Sequence, residues 1–248
     1  VTPRILAAVA VRVLTQLRRD RRTLVMLLVV PCLLITLTWW MFLDTADGSG
    51  DVFDRIGPGL LAIFPFTVMF LVTSVTTLRE RSSGTLERLL ALPTGKLDFL
   101  LGYAVAFGLV AAVQAALAVG VSVELLDLQV VGPLWLLGVV AVADAVLGTA
   151  LGLFVSAFAR TEFQAVQFMP VVVVPQILLC GLIVPRDDLP AALGAVSDVL
   201  PLSYATDAMQ HLTLTSATAQ VWQDVAVVLA YAGAGLALGA VTLRRRTA

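Results

Sequence analysis

The sequence predicts an all-α polytopic membrane protein with six transmembrane helices and both termini in the cytoplasm. Composition, six long apolar runs and a one-sided distribution of charge predict it. The 248 residues are 59% hydrophobic and 13% charged, with a mean hydropathy of +0.97. A soluble domain is about half apolar and roughly a quarter charged, and a chain this short has too much surface for its volume to hide such an excess in a water-filled environment. Part of its solvent is therefore lipid. Two cysteines, a pI near 5.8 and a formal net charge of −1 exclude a disulfide scaffold and a nucleic-acid binder. The hydrophobicity excludes a disordered chain.

Crossing about 30 Å of hydrocarbon takes about 20 apolar residues in a helix. Runs of that length cover residues 24–43, 57–78, 97–123, 134–157, 164–184 and 225–243. The first is too long for a cleavable signal and lacks a small-residue cleavage pattern. Of the 16 basic residues, 14 precede the first run, lie between runs two and three or four and five, or follow the sixth; Arg55 and Arg186 lie on the other side. The acids show the opposite bias, with 11 of 17 on that other side and Asp144 inside a run. The positive-inside rule places both termini in the cytoplasm. Trp39, Trp40, Trp135 and Trp222 fall at the predicted outer ends, where interfacial indoles anchor spans. Arginine outnumbering lysine 15 to 1, with abundant Ala, Val, Leu and Gly, points to a GC-rich bacterial genome, hence a bacterial plasma membrane.

Residues 3–22 read as an amphipathic helix. Ile5, Leu6, Val9, Ala10, Val13, Leu14 and Leu17 share one half of the wheel, and Arg4, Arg12, Thr15, Arg18, Arg19 and Arg22 the other. Such a helix is expected in the membrane interface, its apolar face in lipid and its arginines near anionic headgroups. Residues 79–96 form a cytoplasmic loop in which Gly84 caps a short helix, Glu87 sits near its positive end and Pro93 ends it. Leu86, Leu89 and Leu90 line one face of that helix. A helix this short is marginal alone in water, so its apolar stripe is expected to dock, either on the chain's own spans or in a partner's groove.

The spans carry three further signals. Asp144 is the one ionisable residue near the middle of a span. A carboxylate there costs about 2.5–3.5 kcal/mol on insertion scales, so it must face protein or water. It reads either as an acid bonded to a neighbouring helix or as a contact for a cationic substrate or a proton. Gly148-x-x-x-Gly152 and Gly235-x-x-x-Gly239 have the spacing that lets helices pack closely. Pro170 and Pro175 bend the fifth span, which runs into an outer segment of short helices over residues 185–224. Cys32 and Cys180 read as small core hydrophobes without a disulfide.

The inventory of chemistry is thin. There is no G-x-x-x-x-G-K-[ST] phosphate loop, no H-E-x-x-H, no G-x-S-x-G, no C-x-x-C, and a single histidine, His211. No metal site or catalytic constellation is predicted.

The E-R-x-x-G-T-L-E-x-L-x-x-x-P pattern of residues 80–93 resembles the cytoplasmic loop of ABC-2 type exporter permeases, especially the daunorubicin/doxorubicin-resistance type. Residues 18–31 resemble that family's connecting helix entering span one, and residues 200–212 its P-L-x-Y element, here with Pro201 and Tyr204. The resemblance implies that the loop is a coupling helix seated on a separate ATPase. Glu80 and Glu87 would then make polar contacts, Leu86, Leu89 and Leu90 would fill the groove, and Arg81, Gly84 and Thr85 would complete the pattern. It also implies a homodimer with two ATPase copies that bind ATP and Mg²⁺, no cofactor in this chain, and outward transport of a hydrophobic or amphipathic drug or natural product. A lipid-linked glycan is the alternative cargo. From a different class, a proton-coupled carrier using Asp144 is disfavoured by its single intramembrane acid and the lack of an inverted repeat.

Overall fold

The computed structural model describes residues 3–43, 49–82 and 96–242, and the described residues are nearly all helical. Six helices are long and apolar enough to cross a membrane, as the composition predicts.

Helix α1 (Pro3–Arg19) and α2 (Arg21–Met41) are separate. The amphipathic segment expected over 3–22 stops early because Asp20 caps the next helix. Its carboxylate accepts from the Thr23 backbone N–H at 3.1 Å and from the Thr23 hydroxyl at 2.6 Å, offering the backbone an alternative to continued helix. Arg22 therefore belongs to the first turn of α2, not to the interfacial helix. The apolar face of α1 also differs from expectation. Ala10, Val13 and Leu17 are buried against Tyr103, Ala106 and Phe107 of α4 (Lys96–Gly120). Gly102 permits this approach: a Cβ there would lie 2.7 Å from Val9 Cβ. Packing against protein replaces the expected contact with lipid along that strip, while Arg18, Arg19 and Arg22 stay exposed.

Helix α3 (Ser49–Ser82) has 34 residues and is longer at both ends than the run that predicts it. It continues to Ser82, so Arg79 and Glu80 lie on the helix and not in a loop. It packs most extensively with α5 (Leu134–Ser156), the central and most buried span. Gly148 and Gly152 make this possible. A Cβ on Gly148 would overlap the Phe66 carbonyl oxygen, and one on Gly152 would lie 2.5 Å from the Phe70 carbonyl oxygen. The small-residue spacing thus serves packing within the chain. Gly235, on α10 (Ala219–Thr242), lies less tightly on Ala150: a Cβ there would be 3.6 Å from its carbonyl oxygen.

The fifth span is interrupted, as its prolines predict. It comprises α6 (Glu162–Val172) and α7 (Val174–Leu179), with Pro170 inside the first and Pro175 at the start of the second. Beyond it come a 3₁₀ turn at Arg186–Asp188, α8 (Ala191–Ser197) and α9 (Pro201–Leu214). Leu202, Ala205, Met209 and Leu212 of α9 are fully buried in the same core as α3, α5 and α10. Cys32 and Cys180 are free thiols.

Candidate functional site

Two ends of the bundle carry organised polar groups. At the first, α1 and α3 meet. Arg12 Nη2 lies 3.4 Å from Glu80 Oε1, with side chains only 29% and 13% exposed. Burial concentrates this pairing, since neighbouring helices exclude the water that would screen it. One residue earlier, Arg79 makes a bidentate contact with Glu162 at 2.9 and 3.0 Å, on the solvated surface where α6 begins. The last turn of α3 is thus tied on one side to α1 and on the other to the fifth span. Sequence reading singled out Arg12 and Glu80 separately, for lipid and for a partner, and did not foresee their pairing. They are 68 residues apart, and no local pattern links such positions. Gly84, Thr85, Leu86, Glu87, Leu89 and Leu90 lie outside the described residues, as does the Arg81 side chain.

Asp144 is fully buried, and neither carboxylate oxygen has a hydrogen-bond partner. It lies one turn before Gly148 on α5. It does not line the cavity described below.

The opposite end carries the tryptophans, with the Trp135 and Trp222 rings 6.1 Å apart. Here Arg186 organises the segment between the fifth and sixth spans. Its guanidinium donates to Asp198 at 2.5 Å and also to Asp207, and it lies over the Tyr204 ring, 5.4 Å from the centroid. The Tyr204 hydroxyl donates to the Asp198 carbonyl oxygen at 2.6 Å. Pro201 starts α9 where its missing N–H costs nothing. Gln176 of α7 accepts from the Leu202 N–H at 3.3 Å, and Ser197 donates to the Leu179 carbonyl oxygen at 2.7 Å. Burial holds the Asp207 carboxyl above the ordinary carboxylate range, against the opposing pull of Arg186. Tyr204, picked out by sequence, therefore sits beside an arginine that sequence reading passed over, and Pro201 starts the helix that carries it. The available signal was that Arg186 is one of only two basic residues on the acidic side.

Between this clamp and the tops of α3 and α10 lies a cavity of about 1100 Å³. Asp54, Arg55, Arg186, Asp207, His211 and Asp224 contribute its ionisable lining, among others.

The family model for the ABC-2 type transporter matches residues 5–214. The chain belongs to the ABC-2 type transporter family. It is 28% identical over 169 residues to the probable multidrug ABC transporter permease YbhR of Escherichia coli K12, covering 68% of this chain and 46% of that protein. It is 26% identical over 193 residues to the inner membrane transport permease YhhJ of the same organism, 75% of this chain and 51% of that one. It is also 26% identical over 181 residues to ABC transporter G family member 20 of Dictyostelium discoideum, covering 72% and 25%. The chain spans about half the length, or less, of these curated relatives. The ABC-2 family is the membrane component of ABC transporters, and the resemblance carried by residues 80–93 is borne out at that level. The daunorubicin/doxorubicin subtype is a finer reading than these relatives give.

Proposed function

We propose that this ABC-2 chain is the permease subunit of an ATP-driven exporter of hydrophobic or amphipathic compounds, akin to the daunorubicin/doxorubicin-resistance type. It works as a homodimer with two copies of a separate ATPase in a bacterial plasma membrane. Both termini are cytoplasmic, so the end carrying Arg12 and Glu80 faces the ATPase and the tryptophan end faces outwards. The carrying observation is the family match over residues 5–214 on a chain with six membrane-length helices. The relatives named as multidrug permeases support the cargo class.

The energy comes from the partner, where ATP and Mg²⁺ bind, and the sequence contains no phosphate loop. Closure of the ATPase pair pushes residues 79–96, and the last turn of α3 passes that movement to α1 through Arg12 and to the fifth span through Glu162. The test is co-purification with a candidate ABC ATPase subunit, comparing wild type with the Leu86→Asp, Leu89→Asp double variant and checking the fold by size exclusion. Wild type is expected to retain the ATPase, and the folded variant to lose it. Equal retention by both overturns the docking model. Export that survives loss of the ATPase but collapses with the proton gradient overturns the exporter reading in favour of a carrier using Asp144.

A further inference from the structure

Pro31 lies in the middle of α2, and its missing N–H frees the carbonyl four residues earlier, that of Leu27. Inside a membrane no water is at hand to satisfy such a group, so the donor must come from protein. Gln114 of α4 supplies it. This side chain is fully buried, and its Nε2 donates to the Leu27 carbonyl oxygen at 2.9 Å, across 87 residues of chain. Its Oε1 has no hydrogen-bond partner. Burying the amide is therefore costly in itself, and the bond to Leu27 is what an apolar residue at 114 could not make. The other prolines inside helices behave differently. Pro58, Pro65 and Pro170 free the carbonyls of Asp54, Leu61 and Val166. Among the described residues no side chain donates to any of these three.

The bond also sits where two packing units meet. Leu27, Pro31 and Ile35 are the buried residues of α2, four apart on one face. Leu27 belongs to the cluster that joins Ala10, Val13 and Leu17 of α1 to Tyr103 and Phe107 of α4. Ile35 belongs to the other core, with Phe53 and Phe66 of α3 and Leu136 of α5. Pro31 falls between the two clusters. A helix that lacks a ladder bond bends most readily at that point. Little else holds the inner half of the span, since Val25, Met26 and Val29 are exposed. At its far end Asp20 leaves helical geometry, with φ −86° and ψ 75°, and separates α2 from α1. Residues 21–30 can therefore move without lifting Val9 from Gly102.

We propose that Pro31 and Gln114 form a latched hinge in the first span. The Gln114 amide holds the Leu27 carbonyl, and when that bond breaks residues 21–30 swing away from α4 about Pro31. Gln114 is thus a positioning residue for α2. The latch stands on the packing alone; that transport opens it rests on the export reading above.

The experiment uses the full chain in lipid nanodiscs, first without any ATPase. Thermal midpoints and amide hydrogen exchange are measured for wild type, Gln114→Leu, Pro31→Ala and the double variant. Gln114→Leu strands the Leu27 carbonyl and is expected to lower the midpoint by about 3–8 °C. It is also expected to speed exchange over residues 21–30 about fivefold or more. Pro31→Ala restores an N–H that bonds Leu27 within α2. It is expected to slow that exchange, and to make a further Gln114→Leu change nearly silent in the midpoint. Equal loss in both backgrounds, or exchange that Gln114→Leu leaves unaltered, overturns the proposal. Should Gln114→Leu fail to fold alone, the double variant is expected to fold, and a double variant as unfolded as the single also overturns it. With a candidate ABC ATPase bound, ATP and Mg²⁺ are expected to speed the same exchange in wild type. An unaltered rate in a complex that exports overturns the link between latch and transport. A chain that shows the expected Pro31–Gln114 coupling but uses no ATPase refutes the export reading and leaves the latch standing.

Discussion

Arg12 of α1 and Glu80 of α3 form an ion pair at 3.4 Å that joins two helices otherwise separated by a whole span of chain. Both side chains are mostly shielded, and Glu80 stands just before residues 83–95, whose sequence carries the family's loop pattern. The pair ties the end of α3 to α1, which in turn lies close against Gly102 of α4 through Val9.

Removing either partner deletes an ion pair between mostly shielded side chains. Arg12→Met and Glu80→Gln are each expected to lower the thermal midpoint of the detergent-solubilised chain. Their double-mutant cycle is expected to give a coupling of about 1 kcal/mol. The Arg12→Glu, Glu80→Arg exchange is expected to recover part of the loss. A coupling of zero would mean the pair holds nothing together. The neighbouring Arg79–Glu162 pair is more than half exposed on the arginine side, and Arg79→Ala is expected to change stability by less than about 0.5 kcal/mol.

The close approach of α3 to α5 predicts a contrast among glycines. Gly152→Ala puts a methyl group 2.5 Å from the Phe70 carbonyl oxygen, a backbone atom that cannot swing aside. It is expected to cost about 2–3 kcal/mol or to abolish folded protein. Gly235→Ala meets Ala150 only at ordinary contact distance, 3.6 Å, and is expected to be neutral or slightly stabilising, since alanine is the better helix former. Thermal midpoints of the two variants, measured side by side, decide it. Equal loss in both would show that the register of α3 on α5 is different.

The Arg186 clamp predicts both a mutational and a pH effect. Arg186→Ala leaves Asp207 half-buried without its cation and strips the Tyr204 ring of its cover. It is expected to cost about 2–3 kcal/mol and to expose residues 185–200 to limited proteolysis. Burial holds the Asp207 carboxyl above its ordinary range in the folded chain, so the folded state binds that proton more tightly than the unfolded one. This contribution to stability is therefore complete below the unfolded carboxylate pKa of about 4 and is lost as pH rises through the higher folded value. Asp207→Asn is expected to flatten that stretch of the stability–pH profile; an unaltered profile would show that Asp207 is not its source.

The sequence legibly carried the long-range pattern of hydrophobicity and little of its detail at helix ends. Six apolar runs became six helices because a membrane leaves a backbone no way to satisfy its polar groups except by forming them. The boundaries moved where local chemistry outweighed hydropathy: Asp20 cut the N-terminal helix by capping the next one, and α3 ran on through Arg79 and Glu80 for want of a breaker. The tightness of Gly148 and Gly152 was written in their spacing, but their partner was not. Pro201 and Tyr204 were visible as a motif, whereas Arg186 and Asp224 looked like ordinary loop and loop-end residues.

By itself the sequence determined the class of solvent, the number of crossings, the bend at Pro170 and Pro175 and, through residues 80–93, the family resemblance. These follow from composition, period and contiguous pattern, which survive any arrangement of the helices in space. Only the tertiary structure decided that the apolar face of α1 packs on α4, that Arg12 holds Glu80, that Asp144 is fully buried, and that Arg186 joins Asp198 and Asp207. Each is a meeting of residues far apart in the chain. Such meetings depend on which helix lies against which, and in a bundle of similar apolar helices that choice is made by close packing and a few buried polar contacts, not by hydropathy.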